Sequence, residues 1–171
     1  MLQAILNNRI SKAEKELGVP LDYARYIARV SFRSLWKLTK FTRLVEPRRG
    51  PYQHAVFVAT ISTAQWDDCG SCVQIGVNMA RRGGLPGGVI RAVLARQPEQ
   101  LPEDLADVYA FAEAVLGNAP EQEELRARVE QRFGAAGLVE ISMAIAMHRV
   151  YPTLKRALGY AKSCSLITAE A

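Results

Sequence analysis

The sequence predicts an all-α fold, a compact bundle of about six to eight helices, on three observations. Apolar residues recur along the chain at helical spacing, and strand-like alternation is almost absent. Helix punctuation is frequent: Pro20, Pro86, Pro102 and Pro120 precede periodic segments, and Gly83-Gly84, Gly117 and Gly134 follow them. With 171 residues, 49% of them hydrophobic, the chain can bury one sizeable core. No repeat, low-complexity tract or linker divides it, so residues 1–171 are read as a single helical domain.

Taken in order, Asp22 to Leu44 reads as one long helix, with Tyr23, Ile27, Val30, Leu35, Leu38 and Phe41 on one face. Phe32 and Trp36 form a second apolar edge, so this helix is expected to be covered on two sides. Ala55 to Ala64 carries the β-branched Val56, Val58, Thr60 and Ile61 and could pass for a strand. An isolated strand would have no partner, and helix is the consistent reading. Next, Asp67 or Asp68 is a good N-cap for a helix that places Cys69, Cys72, Val73, Gly76 and Ala80 on one face and ends at Arg81-Arg82.

Arg96 to Leu101 reads as a connector. From Leu101 to Gly117, Leu105, Val108, Ala112, Val115 and Leu116 line one face, with Glu103 and Asp104 in the first turn, where the helix dipole favours anions. From Pro120 to Phe133 acids lead, bases trail, and Leu125, Val129 and Phe133 make one narrow buried stripe. The last helix, Leu138 to about Ser163, places Val139, Met143, Ala146, Val150, Leu154, Leu158 and Ala161 on one stripe. Pro152 should interrupt it, because its ring removes a donor and crowds the carbonyl of His148.

Several function classes are disfavoured. No run approaches the roughly 20 consecutive apolar residues of a membrane span, and Met1 to Asn8 lack the pattern of a secretory signal. The expectation is a cytoplasmic protein with no membrane partner. The net charge of +5, from 22 basic and 17 acidic side chains, is spread without a basic stripe, so no nucleic-acid partner is expected. Arg48-Arg49 beside Gly50-Pro51 reads as a loop corner.

Chemistry concentrates in Trp66-Asp67-Asp68-Cys69-Gly70-Ser71-Cys72. Two sulfurs one helical turn apart at a helix start favour a thiolate, while Asp67 and Asp68 oppose it unless one of them acts as a base. Such a thiolate attacks a peroxide or disulfide, and the second sulfur resolves the product. The plainer alternative is a pair of small buried core residues. No second Cys-x-x-Cys exists and the two histidines, His54 and His148, show no ligand spacing, so neither a metal nor a cofactor is expected. His54 lies on the segment leading to the cysteine helix and is a supporting candidate, along with Asp67 and Asp68. His148 reads as half-buried beside Pro152. The third cysteine, Cys164, is left over.

Asp68-Cys69-Gly70-Ser71-Cys72-Val73-Gln74, flanked by helices, resembles the carboxymuconolactone decarboxylase and alkylhydroperoxidase D-like superfamily over roughly Gly50 to Ala95. The run from Glu140-Ile141 to Tyr160 resembles a little-characterised bacterial branch of it. The resemblance implies an alkylhydroperoxidase D-like bundle, a redox-active Cys69 and Cys72, an unidentified thiol reductant, and self-association as a homo-oligomer. Peroxidase-like members add a histidine one turn after the second cysteine and a glutamate upstream. Those positions fall here at Gly76 and Phe57, so the proton relay is missing. Two readings result: a thiol-disulfide or peroxide-reducing protein in which His54, Asp67 or Asp68 substitutes for the relay, or a non-catalytic oligomeric scaffold or ligand-binding protein.

Overall fold

The computed structural model describes residues 2–45 and 50–161. They form helices α1 (Leu2–Leu17), α2 (Asp22–Val30), α3 (Phe32–Val45), α4 (Gln53–Trp66), α5 (Gly70–Arg82), α6 (Gly87–Leu94), α7 (Glu103–Gly117), α8 (Gln122–His148) and α9 (Val150–Ala157), with a 3-10 turn at Pro98–Gln100. The all-α expectation holds, and no strand occurs among the described residues. Arg48-Arg49 and Cys164 lie outside the described residues.

α4 is the central post. Its Ala55, Phe57, Val58, Ala59, Ile61 and Ala64 are all buried, and α5, α6, α7 and α8 pack around it. Two of its three buried hydroxyls find acceptors within the helix. Ser62 donates to the Val58 carbonyl at 2.9 Å and Thr63 to the Ala59 carbonyl at 2.8 Å. Asp107, buried on α7, is gripped by Arg128 and Arg132 of α8, which fixes the register of those two helices. A second apolar layer forms from α1, α2 and α3, with Leu6, Ile10, Leu21, Ile27 and Leu35 buried and Leu154 and Leu158 of the α9 region packed against them.

The structure departs from the sequence reading at the α2–α3 junction and on α7. The long helix expected from Asp22 to Leu44 breaks at Ser31, which is extended (φ −153°, ψ 100°), and its hydroxyl accepts from the Ser34 amide at 3.2 Å to start α3. Val30, Phe32 and Trp36 consequently stay exposed, the Trp36 ring lying under Lys40 Nζ at 3.7 Å. On α7, Val115 faces outward, while Phe111 and Ala114 are buried with Leu105, Val108 and Ala112. Gly134 (φ 68°, ψ 172°) is non-helical, so α8 is two helical stretches that meet at a kink there, in keeping with the glycine expected to follow the helix ending at Phe133.

The largest correction concerns the last stripe. Val139, Met143, Ala146 and Val150 are exposed, and the core instead receives Gly137, Ile141, Ala144 and Ile145. Both sets satisfy helical spacing; the packing of Gly137 selects between them, since a Cβ there would lie 3.1 Å from the Tyr52 ring. Just ahead of Pro152 the helix ends at His148 and restarts at Val150, with Pro152 in the first turn of α9, where its missing donor matters least. α9 ends at Ala157, short of the expected Ser163. Among the described residues one helical run, Gln122–Ala157, is long and apolar enough by length and composition to cross a membrane, with a mean hydropathy of 1.2 in its most apolar window. It contains Glu140, Arg149 and the bend at Gly134, so the signal is that of one weakly apolar helix.

Candidate active site

The cysteines sit at the turn between α4 and α5. Asp67 ends α4, Asp68 takes a left-handed backbone (φ 47°) that a short polar residue tolerates, and Cys69 follows in a non-helical conformation. Cys69 is therefore the N-cap residue, in place of Asp67 or Asp68. Its carbonyl accepts from the amides of Cys72 at 2.9 Å and Val73 at 3.0 Å. This geometry brings the two sulfurs together at 2.6 Å, with Cys69 wholly buried and Cys72 partly exposed. Ser71 Oγ lies 3.8 Å from the Cys69 sulfur.

The residue that sequence reasoning missed is Lys155 of α9. Its side chain is 2% exposed, and its ammonium donates to Ser71 Oγ at 3.0 Å and to the Cys72 sulfur at 3.3 Å. The same nitrogen lies 4.9 Å from the centroid of the Tyr23 ring. No carboxylate pairs with Lys155 among the described ion pairs. A buried ammonium is costly without a negative partner, and the dithiol is the group placed to supply one. The available signal was periodicity: Ile141, Ile145, His148, Pro152 and Lys155 continue the stripe that the structure buries.

These neighbours set the acidity of the pair. The hydrogen bond with Cys72 chiefly holds the Cys69 thiol down to about 6; burial opposes this, and the Lys155 charge reinforces it. Cys72 is pushed up by its hydrogen bond with Cys69 and by burial. The two sulfurs thus behave as one acid that gives up a single proton readily and holds the second. In the hydrogen-bond geometry Cys72 is the acceptor of both neighbours, the Cys69 thiol at 2.6 Å and the Lys155 ammonium at 3.3 Å. Burial and the nearby Tyr151, Cys72 and Cys69 charges push the Tyr23 phenol up, keeping it neutral.

The supporting candidates separate. Asp67 is buried and committed elsewhere: Arg149 Nε is 3.5 Å from its carboxylate, and Arg156 donates to its carbonyl at 2.6 Å. It ties the cysteine turn to the α8–α9 junction, which is also what brings Lys155 into place. Asp68 is exposed on the turn. His54 is exposed at the start of α4, about 18 Å along the helix from Trp66. Because α4 and α5 run antiparallel, with Gly83 packed on Phe57 and Gly76 on Ile61, His54 lies beside the far end of the cysteine helix and is not part of the site. His148 is half-buried, as expected; its Nδ1 lies 2.9 Å from the Ala144 carbonyl, and burial lowers its pKa.

Both relay positions of the resembled family serve packing. Phe57 is in the core, and a Cβ at Gly76 would come within 3.2 Å of Ile61 and 3.6 Å of Thr60. Cys72 forms part of the wall of a largely apolar cavity of about 410 Å³ between the outer layer and the α4–α5 pair. Among the described residues no group of three or more His, Cys, Asp or Glu side chains is arranged to hold a metal. Comparison with family models, with curated proteins and with solved structures finds no match to this chain.

Proposed function

We propose that this chain is a thiol-based redox protein that reduces a peroxide or a disulfide, with Cys72 as the attacking sulfur and Cys69 as the resolving one. The observation that carries this reading is the buried Lys155 ammonium 3.3 Å from the Cys72 sulfur, itself 2.6 Å from Cys69. A structural pair of core cysteines has no use for a buried cation. Accessibility assigns the roles, since Cys72 reaches the cavity and Cys69 is wholly enclosed.

With a hydroperoxide, the Cys72 thiolate attacks the outer oxygen and the O–O bond breaks. The departing alkoxide or hydroxide takes up a proton and leaves as alcohol or water, and Cys72 becomes a sulfenic acid. The Cys69 sulfur then attacks Cys72, an S–S bond forms, and the hydroxyl leaves as water with the Cys69 proton. Two electrons pass from the dithiol to the peroxide, and a thiol reductant returns two electrons and two protons. Lys155 stabilises negative charge at the sulfur, and its ammonium, recharged from water, supplies the proton that the departing alkoxide or hydroxide takes up.

Mass spectrometry of reduced protein exposed to a slight excess of hydrogen peroxide tests this. The expected products are a Cys69–Cys72 disulfide in the wild type and, in Cys69→Ser, a sulfenic acid trapped by dimedone at Cys72. Thiols that stay reduced under conditions that oxidise free cysteine would contradict the redox reading and leave the scaffold in its place.

A further inference from the structure

Lys155 Nζ lies 3.3 Å from the Cys72 sulfur and is held there by Ser71 Oγ at 3.0 Å, with its side chain 2% exposed. In the reduced protein this nitrogen is an ammonium facing the shared thiolate. Oxidation by a peroxide changes both partners at once. The sulfur becomes an uncharged, electrophilic sulfenic acid, and the ammonium that has given its proton to the departing oxygen is left as an amine with a free lone pair. An amine also costs less to enclose than an ammonium once the sulfur carries no charge. Two nucleophiles then flank Cys72, the Cys69 sulfur at 2.6 Å and the Lys155 nitrogen at 3.3 Å. The Cys69 thiol must lose its proton before it attacks well, whereas the amine attacks as it stands.

We propose that oxidised Cys72 forms a covalent sulfur–nitrogen cross-link with Lys155, a second exit from the sulfenic acid beside the Cys69–Cys72 disulfide. This rests on the redox reading of Cys72. The Lys155 nitrogen attacks the Cys72 sulfur, an S–N bond forms and the S–O bond breaks, and the hydroxyl leaves as water with one amine hydrogen. No further electrons move, because the sulfur stays at the oxidation level of the sulfenic acid, and the peroxide that made it is the only oxidant required. A thiol reductant reopens the link: its sulfur attacks Cys72, the S–N bond breaks, the amine departs with a proton, and a second thiol resolves the mixed disulfide. The burial of Lys155, with the Tyr23 ring centroid 4.9 Å from its nitrogen, keeps bulk water from the bond. While Cys69 still holds its proton, the link keeps Cys72 from advancing to the irreversible sulfinic acid.

Reduced wild type and Cys69→Ser are exposed to a slight excess of hydrogen peroxide, with and without dimedone, and digested with trypsin without reductant for peptide mass spectrometry. The dimedone arm reads sulfenic acid at Cys72 separately from its later fate. Without dimedone, Cys69→Ser should give peptides joined from Cys72 to Lys155, about 2 Da lighter than their reduced parts, uncut after Lys155 and separated by dithiothreitol. Wild type should give chiefly the disulfide and a minor fraction of the same joined pair. With Lys155→Arg or Lys155→Met added to Cys69→Ser, the pair should vanish and Cys72 should gain about 32 Da as sulfinic acid. A dimedone adduct at Cys72 without the joined pair would overturn the proposal and leave the redox reading standing, whereas no adduct would overturn both. A pair found in Cys69→Ser and never in wild type, or one about 14 Da heavier than its reduced parts and so retaining the oxygen, would also overturn it.

Discussion

The layer around α4 and the layer made by α1, α2 and α3 are both apolar, yet they are closed to different degrees. Around α4, the side chains of Val58, Ile61, Val73, Val77 and Val108 are all 0% exposed. In the outer layer Leu6, Ile10, Ile27 and Leu35 retain 7–9% exposure, and three of them border the cavity. The first layer is packed like a protein interior, and the second leaves a ligand-sized space. The cysteines stand on the seam. Cys69 and Val73 belong to the closed side, whereas Cys72 opens toward the loose side and Lys155 reaches it from α9. A rigid frame thus fixes the distance between the sulfurs, and the looser layer supplies access.

The largest expected effect is on stability and tests the packing contrast directly. Ile61→Ala should cost about 2–5 kcal/mol, because the surroundings of α4 cannot collapse into the space left. Leu35→Ala should cost about 1–2 kcal/mol, since that side chain already borders a cavity. Urea denaturation of both variants measures the difference, and equal losses would remove the distinction between the layers.

Next come the thiols. Cys72→Ala should raise the titration midpoint of the Cys69 thiol furthest from its value of about 6, since the hydrogen bond it removes is the chief cause of the low value. Lys155→Met should raise the midpoint of the pair by less, removing only the ammonium charge, while Lys155→Arg should restore part of it. The ultraviolet absorbance of the thiolate, followed from about pH 5 to about pH 9, reads both shifts without needing access to the sulfur. A Lys155→Met profile that matches wild type would show that the buried ammonium has no hold on the sulfurs.

A smaller effect concerns stability against pH. The folded value of Cys69 is depressed, so its ionisation contributes stability that is present above its ordinary range near 8.5 and is lost as pH falls through about 6. Cys72 is shifted upward, so it disfavours the fold once the pH passes that ordinary range. The urea midpoint of reduced wild type, relative to Cys69→Ser, should therefore rise from pH 6 to about 8.5 and then level or fall. The smallest effect is none at all: His54→Ala should leave labelling, peroxide oxidation and stability unchanged, in keeping with its place at the far end of α4.

Much of this architecture was legible in the sequence. α7 was readable because its apolar spacing and flanking residues agree, α4 only because an isolated strand in its place would have had no partner, and the cysteine pair because its spacing is local. What escaped depends on contacts distant in sequence or on choices that periodicity leaves open. Lys155 meets Cys72 across more than 80 residues, a contact fixed by Asp67 holding Arg149 and Arg156. The last helix carries two apolar stripes that periodicity cannot rank, and the buried one includes Gly137, packed against Tyr52 of a segment distant in sequence. Ser31 looked like an ordinary member of a long helix, although Ser31 and Ser34 together form a helix start.

The most direct test of the central claim is the pH profile of iodoacetamide labelling of the reduced wild-type protein, with each labelled cysteine identified by peptide mass spectrometry. A single inflection near pH 6, with label accumulating on Cys72 rather than on the enclosed Cys69, is the predicted result. An inflection in the ordinary cysteine range near 8.5, or label that never reaches Cys72, would contradict the account of a shared thiolate held beside a buried lysine.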